Sequence, residues 1–478
     1  MWTDRRVVPM AGWRTAVLVL FCSLLPCLAE EKPAQDKSRP IGQMLDQAAG
    51  GDQPEPLQAD RMSEADLRQL QKDLKLSDED FRVFREQMRR EEQRAREERR
   101  ARREAAQKAT HEQTAVIGSK HGPGDERVHN FCLHPDGRLL VCGGGTRVSY
   151  VMEGGQMRSK TVQDAAAIRV LNAEGQELAT WPLAFTPQAI CAGRNGTVFV
   201  GGDGKLARLD AQGRVLQTSD APGILIEQRK KADAEKIASV DDEPGRREQE
   251  SKREKPQAES SVSLLEAFFD GLSGGALSRQ RAQNATEEDE HMKRRIRAIT
   301  GLAATEDDLF VAAPGRSGYA VYRVAHDFQQ PKRIVDRLSG CCGQMDIQAL
   351  GADLIVAESG RHRVSRYDRD GKPILHWGRT DRREEEGFGG CCNPKNVRVV
   401  GEAIYTAESG PERIKRHAVD GKLLDLVALP ELGGGCMRIT VEATADGSRV
   451  YVLNSGTGAI HVLSRKAQTG KGKEGIGD

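Results

Sequence analysis

Residues 387–396, GFGGCCNPKN, set Cys391 and Cys392 side by side, and residues 339–346, SGCCGQMD, do the same with Cys341 and Cys342 fifty residues earlier. Cys436, in ELGGGCMR, adds a fifth thiol in a similar glycine-rich setting. Three kinds of chemistry suit them. They can pack as small buried hydrophobes where strands crowd together. They can form a disulfide between the two motifs in an oxidising compartment. As thiolates they can hold a soft metal or act as a redox site, which makes Cys341, Cys342, Cys391, Cys392 and Cys436 the candidate metal ligands. A bond within either pair would be strained, because consecutive Cα atoms lie about 3.8 Å apart, below the usual disulfide range. The CC spacing also departs from the CxxC of zinc knuckles and thioredoxin-like sites, which weighs against metal.

These cysteines sit in a repeat. AESGRHRVSRYDRDGK, residues 357–372, aligns without a gap on AESGPERIKRHAVDGK, residues 407–422. The same rhythm of alternating strand, turn and alternating strand recurs in FCLHPDGRLLVCGG, AICAGRNGTVFVGGDGKLARLDAQGR, LAATEDDLFVAAPG and VEATADGSRVYVLNSGTGAIHVLSR. Period-two patterning with Asp-Gly and Asn-Gly turns at roughly 40 to 50 residue spacing is the signature of four-stranded propeller blades. The fold class that follows is all-β, a six-bladed β-propeller over residues 112–466.

The last unit is one strand short. Upstream of the first unit, TAVIGS matches the outer strand before Cys391, with Ala115 to Gly118 on Leu375 to Gly378. The N-terminal segment is therefore expected to pair beside residues 459–464 and close the ring, removing two open sheet edges.

Antiparallel order puts the start of each inner strand and the end of each second strand on one face of the disc. Cys341 and Cys342 fall at the inner-strand entry of the fourth blade, Cys391 and Cys392 at that of the fifth, and Cys436 near that of the sixth. Glu358, Glu408 and Asn454 end the matching second strands, with Arg361, His362 and Arg413 just beyond. These six form the candidate ligand-binding set. The plainer reading of the glutamates is an acid that closes a turn by pairing with Arg361 or Arg413. Cys132, Cys142 and Cys191 read as core. GGGTR near Gly143 and ELGGG near Gly433 read as glycine-rich turns without a phosphate-binding context.

ESG followed by RHRV and YDRDGK resembles the NHL-repeat pattern, and the double-cysteine variant is similar to NHL-like propellers of secreted bacterial proteins. The resemblance covers about residues 114–465, interrupted by one charged insertion. It implies a binding or scaffolding module that uses one face of the disc for a protein, peptide or glycan partner. The alternative is a metal-dependent propeller enzyme, lactonase-like or lyase-like, or a thiolate metal or redox site at the central channel. No cofactor motif appears, and a metal ion at the channel is the one cofactor left open. No nucleophile elbow, Walker loop, HExxH or dinucleotide fingerprint is present.

Of the 478 residues 30% are charged, yet the formal net charge is only +1, which argues against nucleic acid as a partner. Residues 1–29 read as a signal peptide: Arg5, Arg6 and Arg14 precede an apolar run from Thr15 to Leu28, and Ala29 precedes Glu30. The expected location is secreted or periplasmic, with membrane attachment only if that segment is retained as an anchor. Residues 30–60 read as a disordered linker. Residues 61–108 read as charged helix, with Ser63 and Ser77 each placed three residues before an acid as capping hydroxyls. Residues 223–295 read as a charged helical and disordered insertion between blades 2 and 3, and residues 467–478 as a flexible tail.

Overall fold

The computed structural model describes residues 68–69, 71–72, 77–118, 128–153, 156–240, 295–315, 317–341, 343–382, 384–433 and 435–467. The chain divides into two units, Met1–Arg102 and Arg103–Asp478. The first holds most of helix α1 (Asp78–Lys108), which opens with Asp78, Glu79 and Asp80. Ser77 caps it, its hydroxyl accepting from the Asp80 amide at 3.2 Å. Acids in the first turn complement the helix dipole, and pairs such as Glu86–Arg90 at 2.6 Å and Glu92–Arg96 at 2.9 Å run along its surface.

The second unit is a ring of six four-stranded antiparallel sheets. Blade 1 comprises β2 (Val128–Leu133), β3 (Leu139–Glu153), β4 (Gln156–Leu171) and β5 (Glu177–Pro182). Blade 2 comprises β6 (Ala189–Ala192), β7 (Val198–Gly202), β8 (Lys205–Leu209) and β9 (Val215–Asp220), and blade 3 comprises β10 (Gly301–Ala304), β11 (Asp308–Pro314), β12 (Tyr319–Ala325) and β13 (Lys332–Leu338). Blade 4 comprises β14 (Asp346–Leu350), β15 (Asp353–Glu358), β16 (Arg363–Tyr367) and β17 (Pro373–Trp377), and blade 5 comprises β18 (Asn396–Val400), β19 (Ala403–Glu408), β20 (Arg413–Ala418) and β21 (Leu423–Ala428). Blade 6 takes β22 (Ile439–Ala443), β23 (Arg449–Asn454) and β24 (Ala459–Arg465) from the C-terminal end of the ring and its outer strand β1 (His111–Ile117) from the N-terminal end. The closure expected from the sequence is therefore the one observed. The pairing runs from His111 opposite Arg465 to Ile117 opposite Ile460, with a bulge at Thr114. It begins four residues earlier than the TAVIGS match indicates.

The apolar residues form six clusters, one at each seam between neighbouring blades. Blade 6 meets blade 1, for example, through Ile117, Tyr451, Leu453 and Val462 against Phe131, Leu139 and Val141. The Asp-Gly turns feed this packing. Gly371 and Gly421 have φ of 89° and 92°, a region that disfavours side chains. A Cβ on Gly371 would meet the Ile334 carbonyl oxygen at 2.1 Å, and one on Gly421 would meet Trp377 Cγ at 2.3 Å. Each turn thus lies directly on the outer strand of the preceding blade. Gly175 of blade 1 does the same on Ile117, so the composite blade 6 is read by its neighbour as an ordinary blade.

Two features differ from the sequence reading. Gly143–Gly145, expected as a turn, lies inside β3 as a bulge, and β3 and β4 continue past it as a paired hairpin from Gly145 opposite Asp164 to Glu153 opposite Gln156. Positive φ at Gly144 and Gly145 bends the strand there without ending it. Helix α2 (Pro222–Val240) follows β9 at once, and Ile224 and Ile226 pack into the seam between blades 2 and 3. The start of the charged insertion is thus part of the ring. The rest of the expected insertion, residues 241–294, lies outside the described residues, as do the signal segment, the linker and almost all of the tail.

Candidate functional site

The inner strands bring six side chains to the same register around the axis: Cys132, Cys191, Ala303, Gln348, Arg398 and Glu442. Arg398 Nη2 pairs with Glu442 Oε1 at 3.0 Å and its Nε donates to the Val441 carbonyl at 3.1 Å. Burial pushes the Glu442 carboxyl up to about 7, with Arg398 acting against the shift. Asp346, at the entry to β14, is likewise pushed up by burial, to about 6, again opposed by Arg398. Its Oδ2 accepts from the Val397 amide at 2.9 Å, and Asn396 Oδ1 accepts from the Val441 amide at 2.9 Å. β14 is latched to β18, and β18 to β22, by a side chain at this position. Burial drives the Cys132 thiol well above its ordinary range and Cys191 up to about 12, so both behave as core, in agreement with the sequence.

Above this layer, Gln344 reaches from blade 4 to blade 6. Its Nε2 donates to the Ile439 carbonyl at 2.7 Å and its Oε1 accepts from the Ile439 amide at 3.3 Å. This bidentate clasp crosses the face on which the inner strands begin.

The glutamates of the candidate set are fully buried. Glu358 accepts from Arg361 at 3.0 Å, from Ser365 at 2.9 Å and from Arg363, bracing the single-turn 3-10 helix Ser359–Arg361. His362 ends that turn at a φ of 51°, and burial lowers its pKa. Glu408 takes Arg413 at 2.9 Å, Lys415 at 2.6 Å and the Gly389 amide at 2.8 Å. Arg413 and Lys415 also donate to the Gly387 carbonyl, at 3.1 and 2.5 Å. Asn454 is spent on the Leu432 carbonyl at 2.7 Å and the Gly456 amide at 2.9 Å. These groups hold the loops of the face in place, and both glutamate carboxylates point inward.

Glu408 therefore fixes the backbone that leads into the second CC motif. Asn393 finishes the job, donating to the Gly389 and Ser409 carbonyls at 2.6 and 2.8 Å and accepting from the Ser409 amide at 2.9 Å. The result is a cluster of three thiols, none of them in a disulfide. Cys391 and Cys392 Sγ lie 3.1 Å apart, Cys392 and Cys436 3.0 Å, and Cys391 and Cys436 3.8 Å. Cys391 and Cys436 are exposed while Cys392 is buried. Lys395 Nζ stands beneath, 2.8 Å from Cys392 Sγ and 3.0 Å from Cys436 Sγ. The hydrogen bond with Cys436, then burial, pushes the Cys392 thiol up, and Lys395 pulls against both.

The structure thus joins Cys391, Cys392 and Cys436 from blades 5 and 6. It leaves Cys341 outside the group, in a bridge with Gln344 and with its amide donating to Ser359 Oγ at 3.2 Å. Cys342 lies outside the described residues. The sequence reading passed over Asp346, Lys395, Arg398, Lys415, Glu442 and the Gln344 clasp. A usable signal existed for Arg398 and Glu442: when the six units are aligned on the inner strand, one column reads Cys, Cys, Ala, Gln, Arg, Glu, with opposite charges in adjacent units.

No protein-family model and no curated protein matches the chain. Among solved structures it is similar to the Neurospora crassa Pan2 WD40 domain, with 9% identity, TM-score 0.40, and 75% of this chain and 97% of that one covered. A protein of unknown function from Bacteroides caccae gives 11% identity, TM-score 0.36, and coverage of 65% and 92%. Chaetomium thermophilum Raptor gives 12% identity and TM-score 0.35, with 76% of this chain on 30% of that one. At such identities the likeness concerns the fold alone, and the strand order above defines the class: a six-bladed β-propeller, an architecture consistent with a binding or scaffolding module.

Proposed function

We propose that the chain is an NHL-like, extracytoplasmic β-propeller that binds a protein partner through the face carrying the inner-strand entries. The observation behind this reading is the hairpin arm of blade 1. Beyond the Gly143–Gly145 bulge, β3 and β4 pair for a further eight residues on each strand, an extension of about 25 Å at the usual strand rise. Because β3 is the second strand of its blade, the arm leaves the ring on the same face as Cys391 and Cys436. Among the described residues no third strand pairs with the arm, and a lone two-stranded hairpin is marginal in water, so an arm of this length is best stabilised by what it contacts. The signal-like residues 1–29 support the extracytoplasmic part of the reading.

An enzyme built around a central ion has less support, since the Arg398 guanidinium already occupies the axial position beside Glu442 and Asp346. A photo-crosslinking residue placed at Lys160 on the arm, and another at Asp420 on the opposite face, test the binding proposal in the native host. A discrete protein adduct from position 160 alone is expected. Equal labelling at both positions, or none at 160, overturns the proposal, and a peptide or glycan adduct replaces the protein partner with that class. Fractionation of the host with and without residues 1–29 checks the location.

A further inference from the structure

We infer that Cys391, Cys392 and Cys436 form a three-thiolate site for one divalent thiophilic cation of the zinc type, with Lys395 as its charge-balancing second layer. This goes beyond partner binding and does not depend on it.

The argument starts from Lys395. It is only 1% exposed, and among the described residues no carboxylate pairs with it. Its ammonium donates to two sulfurs, at 2.8 and 3.0 Å. A buried ammonium is costly unless an anion faces it. Thiolates meet that requirement. A neutral disulfide between Cys392 and Cys436 would leave the ammonium without a counter-charge, so the lysine favours an anionic sulfur beside it.

Ligation of a cation takes the protons from all three thiols, and three thiolates around one lysine carry excess negative charge in a half-buried site. One divalent cation brings the sum of three thiolates, the lysine and the metal to zero, whereas a monovalent ion leaves it negative. The geometry agrees. Zinc holds sulfur at about 2.3 Å, which sets tetrahedral sulfurs about 3.8 Å apart. Cys391 and Cys436 are already 3.8 Å apart. The two shorter separations, 3.1 and 3.0 Å, both involve Cys392 and must open by about 0.7 Å to reach that value. Three protein ligands leave a fourth position, and because Cys391 and Cys436 are exposed it faces solvent. A hydrogen-bond donor on ligating sulfur is the kind of outer partner that fixes a metal site, and Lys395 is already in place. The loop is built for this arrangement, with Glu408 and Asn393 fixing it from below.

The test uses the full chain, reduced and stripped of metal, titrated with cobalt(II) followed by optical absorption and with zinc against a chromophoric chelator. One equivalent of cobalt should give tetrahedral d–d bands and strong sulfur-to-metal charge transfer, and zinc should displace it. Cys391→Ser and Cys436→Ser, both at exposed positions, should each weaken zinc binding by about 100-fold or more. Lys395→Gln should weaken it by roughly 10 to 100-fold, in the range of outer-layer changes, while Cys341→Ser leaves it unchanged. Thermal unfolding of each variant confirms the fold. Equal zinc binding by wild type and Cys436→Ser overturns the inference. So does failure of the reduced protein to bind micromolar zinc, or a Cys392–Cys436 disulfide in non-reducing peptide maps of the protein as isolated.

Discussion

Blades 1 to 3 and blades 4 to 6 share one strand order and one register, yet they fill the axis differently. At the common register the first half supplies Cys132, Cys191 and Ala303, small uncharged side chains, and the second supplies Gln348, Arg398 and Glu442. The second half also carries the buried turn acids Glu358 and Glu408, the clasp of Gln344 and the thiol cluster. One fold thus supports two regimes. Neutral packing tolerates small changes, whereas a buried ion pair couples every member to the others. The chemistry gathers in the half whose loops are fixed by charge-assisted hydrogen bonds, which hold a loop more rigidly than apolar contact does.

The two halves meet at the blade 6–1 and blade 3–4 seams, and breaking the first is expected to have the largest effect. A chain starting after Ile117 loses β1, opens β24 as an edge and exposes the seam that Ile117 fills. Its unfolding free energy should drop by about 5 kcal/mol, from one buried isoleucine plus a strand of hydrogen bonds. A chain starting at Arg103 keeps β1 and should unfold like the full protein. Denaturant melts of the two truncations give the comparison, and equal stability would mean that β1 does not close the ring.

Within the ring, Arg398→Leu should destabilise by about 4 kcal/mol, because it leaves Glu442 and Asp346 buried without a counter-charge. Adding Glu442→Leu should restore much of the loss. At the equivalent position of the first half, Cys191→Ala should cost only about 1 kcal/mol. Similar losses for Arg398→Leu and Cys191→Ala in urea would erase the distinction between the halves.

A further effect, smaller than that of Arg398→Leu, is one of pH. His417 lies under the Glu408 loop, its ring 4.3 Å from Trp377, and burial followed by the charge of Lys415 lowers its pKa to about 3. A histidine lowered on folding contributes stability above its unfolded pKa of about 6.5 and loses it as pH falls toward the folded value. At pH 4 that contribution has fallen by about 3 kcal/mol. His417→Phe should therefore lose less stability than wild type between pH 6.5 and 4. The carboxyls of Asp346 and Glu442, raised on folding, give the opposite slope over about pH 4 to 7, and they cancel in the wild-type-minus-variant difference. Parallel pH profiles for the two proteins would contradict the assignment.

Much of the ring could be read locally. Alternation and Asp-Gly turns are short-range signals, so AESGRHRVSRYDRDGK already specifies two strands, their turn and the face of Glu358. Composite closure was legible too, because TAVIGS keeps the pattern of an outer strand that the last unit lacks. The arm was missed because glycines at 143–145 signal a turn as readily as a bulge, and only the pairing beyond them tells the two apart. The site was half legible: the spacing placed Cys391, Cys392 and Cys436 on one face, but it also grouped Cys341 with them.

The sequence by itself determined the number of blades, the strand that closes them and the face on which the cysteines stand, because each follows from periodicity and turn chemistry within some fifty residues. Only the tertiary structure decided which thiols meet, that Gln344 spans from blade 4 to blade 6, and that Lys395 lies buried against sulfur. Those contacts join loops of different blades, and their distances are set by how the ring closes, a property of the whole chain that no local pattern carries. Lysine in a loop reads as a solvated charge until the neighbouring blade covers it.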